Sequence, residues 1–184
     1  MKTVLKILFI IFFSLNFTYC RIYYDHQGNI DVYDNLKFNY KVDYNEFEYF
    51  DKNSIGLTDR KMYNTYFIIK LPKKIVNWIR YGNNFWFEYE SKQIIYIYNE
   101  YKHIAENSYH WRLIDVEDED EIDLYMFYYW VNKRKYDQKY LYKKNNFRVT
   151  KLYTNGKYKI LLFNIKKKNY QSFLDYAKTF EIKD

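Results

Sequence analysis

Apolar and polar residues alternate without a break through Leu36-Lys37-Phe38-Asn39-Tyr40-Lys41-Val42-Asp43-Tyr44, the two-residue period of a strand with one buried face. Residues 45–60 show no clear period and are expected to form an irregular connection containing Gly56. Thr65 to Leu71 is apolar at nearly every position, as in a central strand covered on both sides, and Pro72 ends it. Ile75, Trp78 and Ile79 then fall at helical spacing, which predicts a short helix stopped by Gly82. Phe85 to Tyr89 and Gln93 to Tyr98 flank Glu90-Ser91-Lys92 and should pair as a hairpin. A further strand is expected over Tyr109 to Val116.

Ile122 to Val131 supports two readings. Ile122, Met126, Tyr129 and Trp130 would share one helix face, and acids before with bases after suit a helix dipole. The run Leu-Tyr-Met-Phe-Tyr-Tyr-Trp-Val is, however, dense in residues that favour strands, and a strand is the expectation adopted. The end of the chain reads more simply. Phe147 to Tyr153 and Tyr158 to Ile165 flank Thr154-Asn155-Gly156, a hairpin closed by an Asn-Gly turn. Asn169 is placed to cap a helix over about 169–179, with Tyr170, Phe173, Leu174 and Ala177 on its buried stripe. Phe180-Glu181-Ile182 supplies a last short strand. At the other end, Arg21 to Tyr24 and Ile30 to Val32-Tyr33 read as two short strands around Gly28-Asn29. The sum is an α+β domain: an antiparallel sheet of about six to eight strands covered by one or two helices.

The first twenty residues stand outside this pattern. Lys2 and Lys6 precede the apolar run Ile7 to Phe13, and a more polar exit leads to Cys20, the order of charge and hydrophobicity in an export signal. The run is too short to span a bilayer, which takes roughly 20 residues. Phe17-Thr18-Tyr19-Cys20 resembles a lipobox, in which Cys20 would become a lipidated first residue, although that motif has a small residue where Tyr19 stands. The alternative is ordinary cleavage after Cys20, with Thr18 and Cys20 as the small residues inspected. Both remain open. Residues 1–20 are thus assigned to a signal peptide and 21–184 to one domain, large enough to bury a core without disulfides. Cys20 is the only cysteine, so the domain forms no internal disulfide.

Composition adds little about chemistry and more about surface. Hydrophobic residues make up 48% of the chain, which argues against disorder. Aromatic residues reach 24%, but Tyr, Asn, Lys and Ile all have AT-rich codons, and that bias alone accounts for part of the excess. Charge is segregated: residues 21–132 hold 13 basic and 19 acidic residues (net −6), and residues 133–184 hold 15 and 4 (net +11). Such halves either present a surface to an acidic partner or lie side by side and neutralise each other, and the second is preferred.

The Leu71-Pro72 step with Trp78 shortly after, the aromatic hairpins that follow, and a closing strand, helix and Phe180 resemble the layout of PsbP-like domains in small exported bacterial proteins. The resemblance runs from about residue 65 to the end. It implies an α+β fold and a non-enzymatic accessory or binding role, and it carries no functional residues.

No catalytic constellation emerges. The three histidines are His26, His103 and His110; Glu100 and His103 have Glu-x-x-His spacing, and Asn107 and His110 would continue that face of a helix. A carboxylate-bridged di-metal site needs a second such pair with further glutamates, so Glu100, His103 and His110 are weak metal candidates only. The acids from Asp115 to Asp123 lack the glycine and alternation of an EF-hand and read as a solvated loop. Glu88 and Glu90 could serve a glycosidase, but two positions apart on a strand they are expected to face solvent. A Cys-His enzyme, a Gly-x-Ser-x-Gly elbow and a phosphate-binding glycine loop are all absent. No cofactor is expected.

Lys133-Arg134-Lys135, Lys143-Lys144 and Lys166-Lys167-Lys168 would suggest nucleic acid in a cytoplasmic protein. In an exported one, solvated faces or attraction to anionic lipid or envelope polysaccharide fit better. The reading is therefore an exported or envelope-attached, non-enzymatic module that binds a protein, as an accessory lipoprotein or toxin-immunity protein would. A glycan-binding module using surface Tyr and Trp is the alternative, and a small hydrolase comes third.

Overall fold

A computed structural model describes residues 36–55, 62–81, 84–99, 110–116, 118–132 and 147–183. The strands expected at 21–33, Cys20 and the pair Glu100 and His103 lie outside the described residues. Within them the fold is α+β, with mostly antiparallel strands and two α-helices, the second of them C-terminal. The strands are β1 (Leu36–Tyr40), β2 (Asn45–Ile55), β3 (Met62–Leu71), β4 (Asn77–Tyr81), β5 (Asn84–Tyr89), β6 (Gln93–Asn99), β7 (Arg112–Asp115), β8 (Arg148–Thr154), β9 (Tyr158–Lys166) and β10 (Glu181–Ile182). The helices are α1 (Glu119–Asn132) and α2 (Lys167–Ala177). The strands divide into a four-stranded sheet, β1-β2-β3-β10, and a six-stranded sheet, β4-β5-β6-β9-β8-β7.

Layering explains the sequence pattern. One face of the six-stranded sheet packs on the four-stranded sheet through Phe85, Phe87, Ile95, Ile97, Ile160 and Leu162, which meet Phe47, Tyr49, Phe67 and Ile69. Phe173, Leu174 and Ala177 of α2 and Phe180 close that core. The opposite face, through Trp86, Ile94, Tyr96, Leu161 and Phe163, is covered by Ile122, Tyr125, Met126, Tyr129 and Trp130 of α1. Strands covered on both faces need apolar residues at consecutive positions, and Phe85-Trp86-Phe87 and Ile160-Leu161-Leu162-Phe163 are buried throughout. By contrast β3 alternates: Phe67, Ile69 and Leu71 are buried, whereas Tyr66, Ile68 and Lys70 face outward.

Both expected hairpins form. β5 pairs with β6 across the 3-10 turn Glu90–Lys92, where Ser91 and Lys92 adopt positive φ. β8 pairs with β9 across a turn in which Gly156 has φ 91°. Asn155 contributes there through its side chain, whose Oδ1 accepts the Tyr158 N–H at 2.8 Å. Among the described residues the acidic and basic halves are brought together in one sheet, because β6 pairs with β9 and β7 with β8, and Lys151 meets Asp115 at 2.8 Å.

Several local expectations are corrected. Strand β1 stops at Tyr40, and Lys41 N–H bonds the Tyr44 carbonyl at 3.0 Å to turn the chain into β2. The alternation thus runs on through a turn. Residues 45–55, expected to be irregular, are strand β2; a bulge between Asp51 and Ser54 breaks the two-residue period that would have revealed it. The helix expected near 75–82 is strand β4, because Trp78 and Ile79 pair with Phe87 and Trp86 while Ile75 belongs to the preceding connection. Ile122 to Val131 lies in α1 rather than in a strand. Glu119, Asp120 and Glu121 in its first turn complement the dipole, and the Asp118 carboxylate accepts the Asp120 N–H at 3.0 Å. Finally, α2 begins at Lys167, so Asn169 lies inside it and does not cap it. The Asn169 amide instead donates to Gln93 Oε1 at 3.0 Å, an oxygen that also accepts the Lys166 N–H.

Candidate binding surfaces

The chain crosses from one sheet to the other between β3 and β4, and this crossover shapes a cleft. Pro72 ends β3, and its carbonyl accepts from the buried Asn45 amide at 3.1 Å. Lys74 takes φ 63°, a left-handed turn, and Val76 N–H then bonds the Glu88 carbonyl at 2.8 Å to start the run into β4. Between this crossover and the edge strand β1 lies an open cleft of about 380 Å³. Phe38, Tyr40, Ile75 and Trp78 give it an aromatic and aliphatic wall; Asn45, Asn77, Lys73 and Lys74 supply its polar groups. The Phe38 and Tyr40 rings lie nearly parallel, 5.9 Å apart with 10° between their planes, and Trp78 tilts against Phe38 at 5.3 Å. Tyr40 is 73% exposed. Lys73 Nζ donates to the Lys41 carbonyl, which holds that ammonium at the rim. Among the described residues no carboxylate lines the cleft.

A second surface belongs to α1. The buried stripe Ile122, Tyr125, Met126, Tyr129 and Trp130 follows the 3, 4, 7, 8 spacing of a helix seated on a sheet. Trp86 Nε1 donates to the Tyr125 carbonyl at 3.1 Å and fixes that seating. Unlike an ordinary surface helix, α1 carries further apolar residues on its other side: Leu124 is 73% and Phe127 55% exposed. Beside them, Tyr128 stacks on Tyr81 of β4 at 4.0 Å. The exposed acids Glu119 and Asp120 lie at the N-terminal end of this face.

Glu88 is the strongest buried polar feature. Only 2% of it is exposed, contrary to the expectation that it faces solvent. Its Oε2 accepts from the Tyr129 hydroxyl at 2.7 Å, and Oε1 pairs with Lys92 Nζ at 2.7 Å. Both carboxylate oxygens are thus bound and directed under α1, while Glu90 lies exposed in the turn. The structure does not bring the two carboxylates together across an open site, so the glycosidase geometry finds no support here. Glu88 instead ties α1 to β5.

Among the described residues no cluster of His, Cys, Asp and Glu could hold a metal, and His110 is exposed before β7. The acidic run is divided between β7, where Asp115 meets Lys151, and the start of α1. Lys166, Lys167 and Lys168 straddle the β9–α2 junction. No described helix is long and apolar enough to cross a membrane. Burial raises the phenol pKa of Tyr89 and Tyr96 well above the usual value; the nearby phenols of Tyr176, and of Tyr98 and Tyr125, add to the effect. These groups belong to the packing and not to an open site. Sequence reasoning missed the cleft because its walls come from two segments about thirty residues apart, and the alternation over 36–44 put Tyr40 on the face expected to be buried.

No family model, no curated protein and no solved structure matches this chain.

Proposed function

We propose that this protein is an exported, non-enzymatic binding module that docks another protein on the outer face of α1. The observation that carries this reading is the second apolar side of that helix. A helix on a sheet needs one apolar stripe, and Leu124 and Phe127 are large apolar side chains beyond it. Contiguous exposed apolar residues beside charged ones are the usual make-up of a protein interface, with an apolar centre and a polar rim. Glu119 and Asp120 favour a partner that is apolar at its centre and basic at its edge. The bound state of Glu88 favours binding over catalysis. Export rests on the Lys2-to-Cys20 pattern, and an accessory role agrees with the PsbP-like order of elements.

Mild cross-linking in the producing cells followed by purification tests the reading. A stoichiometric protein partner is expected with the wild-type chain and is lost in the Leu124→Glu, Phe127→Glu double variant, whose melting temperature should stay near wild type. A clean monomer, or a partner retained by the double variant, would overturn the α1 assignment. The N-terminal mass reports on export in the same sample: a diacylglycerol on Cys20 means an anchored protein, a chain starting at Arg21 a released one, and an unprocessed Met1 terminus overturns export.

A further inference from the structure

The cleft between β1 and the Pro72–Val76 crossover lies on the opposite side of the six-stranded sheet from α1. Trp78 packs toward the sandwich core, whereas Ile79, next along β4, packs toward α1. It therefore offers a second, separate binding site. We infer that this cleft binds an acidic oligosaccharide, with the exposed Tyr40 ring as the stacking surface for a sugar and Lys73 and Lys74 as the partners of its carboxylates.

Three observations support that ligand class together. The exposed Tyr40 ring, stacked parallel to Phe38, presents one apolar face beside the cleft, and such a face suits the C–H face of a pyranose. Phe38, behind it, is itself braced by Phe47 and Trp78, at 4.9 and 5.3 Å, so the ring that backs Tyr40 is held before any ligand arrives. The charge is one-sided: among the described residues two lysines line the cleft and no carboxylate does, which selects for an anion. Asn77 adds an amide able to both donate to and accept from sugar hydroxyls. The left-handed Lys74 backbone belongs to the tight crossover that brings both lysines to the rim. Nucleic acid shares the requirement for stacking and positive charge. The export pattern at the N-terminus favours polysaccharide over it, and to that extent the inference rests on the export reading above.

Purified protein titrated calorimetrically with an oligogalacturonate, a neutral cello-oligosaccharide and a short oligothymidylate provides the test. Saturable binding of the oligogalacturonate is expected, weakening as salt rises. Tyr40→Ala should reduce its affinity by about tenfold, the value of one aromatic stacking contact. Lys74→Asn, which keeps a residue tolerant of positive φ, should reduce it by about threefold and flatten the salt dependence. Lys157→Gln, an exposed charge in the β8–β9 turn, should leave it unchanged. Circular dichroism and the melting temperature of each variant show whether the fold is intact, which the exposure of Tyr40 leads us to expect.

No uronate binding, equal binding by the Tyr40→Ala and wild-type proteins, or equal binding of the neutral oligosaccharide would overturn the inference. Tighter, Tyr40-dependent binding of the oligothymidylate would overturn it in favour of nucleic acid. Because the assay uses purified protein, its outcome is independent of export. The Leu124→Glu, Phe127→Glu protein should still bind uronate, which separates failure of this site from failure of the α1 surface.

Discussion

Tyr129→Phe probes the link between α1 and the six-stranded sheet with the smallest possible change. The ring stays, so the packing of Tyr129 against Trp130 and its buried neighbours is kept, and only the hydroxyl that donates to Glu88 at 2.7 Å is lost. The carboxylate is left buried with one charge-assisted hydrogen bond fewer. A hydrogen bond to a charged group contributes about 1.5–3 kcal/mol. Lys92 still meets Oε1, but its side chain is 46% exposed, so solvent screens that pair and its compensation is small. The expected loss is about 2 kcal/mol, or roughly 4–8 °C in melting temperature for a chain of this size. Urea unfolding followed by tryptophan fluorescence and far-UV circular dichroism measures it. The companion Glu88→Leu, Tyr129→Phe double variant should lose less than the two single changes summed, because neither polar group then remains buried without the other. A loss below about 0.5 kcal/mol in Tyr129→Phe, or strict additivity in the cycle, would refute the role given to this contact.

Two further predictions concern backbone and pH. Gly156→Ala places a Cβ at φ 91° in the β8–β9 turn and should cost about 1–2 kcal/mol, readable by the same urea titration; an unchanged midpoint would show that the turn relaxes. Alkaline pH should destabilise the protein through Tyr89 and Tyr96. Their folded-state pKa values are raised, so the folded chain holds protons that the unfolded chain releases above pH about 10. Their contribution is complete below that pH and is lost as pH rises toward the folded values. Each phenol should contribute a slope of about 1.4 kcal/mol per pH unit above pH about 10. Tyr89→Phe should remove one such share, and a slope unchanged by that substitution would contradict the assignment.

Where neighbours in sequence are also neighbours in space, the sequence alone determined the structure. The β5–β6 and β8–β9 hairpins follow from a turn between two runs of strand-forming residues, and the stripe Phe173, Leu174, Ala177 marks α2. Interactions spanning at most about twenty residues decide these elements. The α+β class was legible for the same reason. Other segments depended on distant partners. α1 has apolar residues on both sides, so its period is hidden, and only the sheet beneath it selects Ile122, Met126 and Tyr129 as the inward stripe. Ile75, Trp78 and Ile79 have helical spacing, yet pairing of Trp78 with Phe87 makes that segment an edge strand. Glu88 looks like a solvent-facing residue two positions from Glu90 until α1 is laid over it. The cleft was beyond sequence reasoning altogether: Tyr40 and Lys74 become neighbours only because the chain leaves one sheet at Pro72 and joins the edge of the other. Local patterns fix which residues want burial, but which face receives it, and which edges meet, is settled by packing across the whole chain.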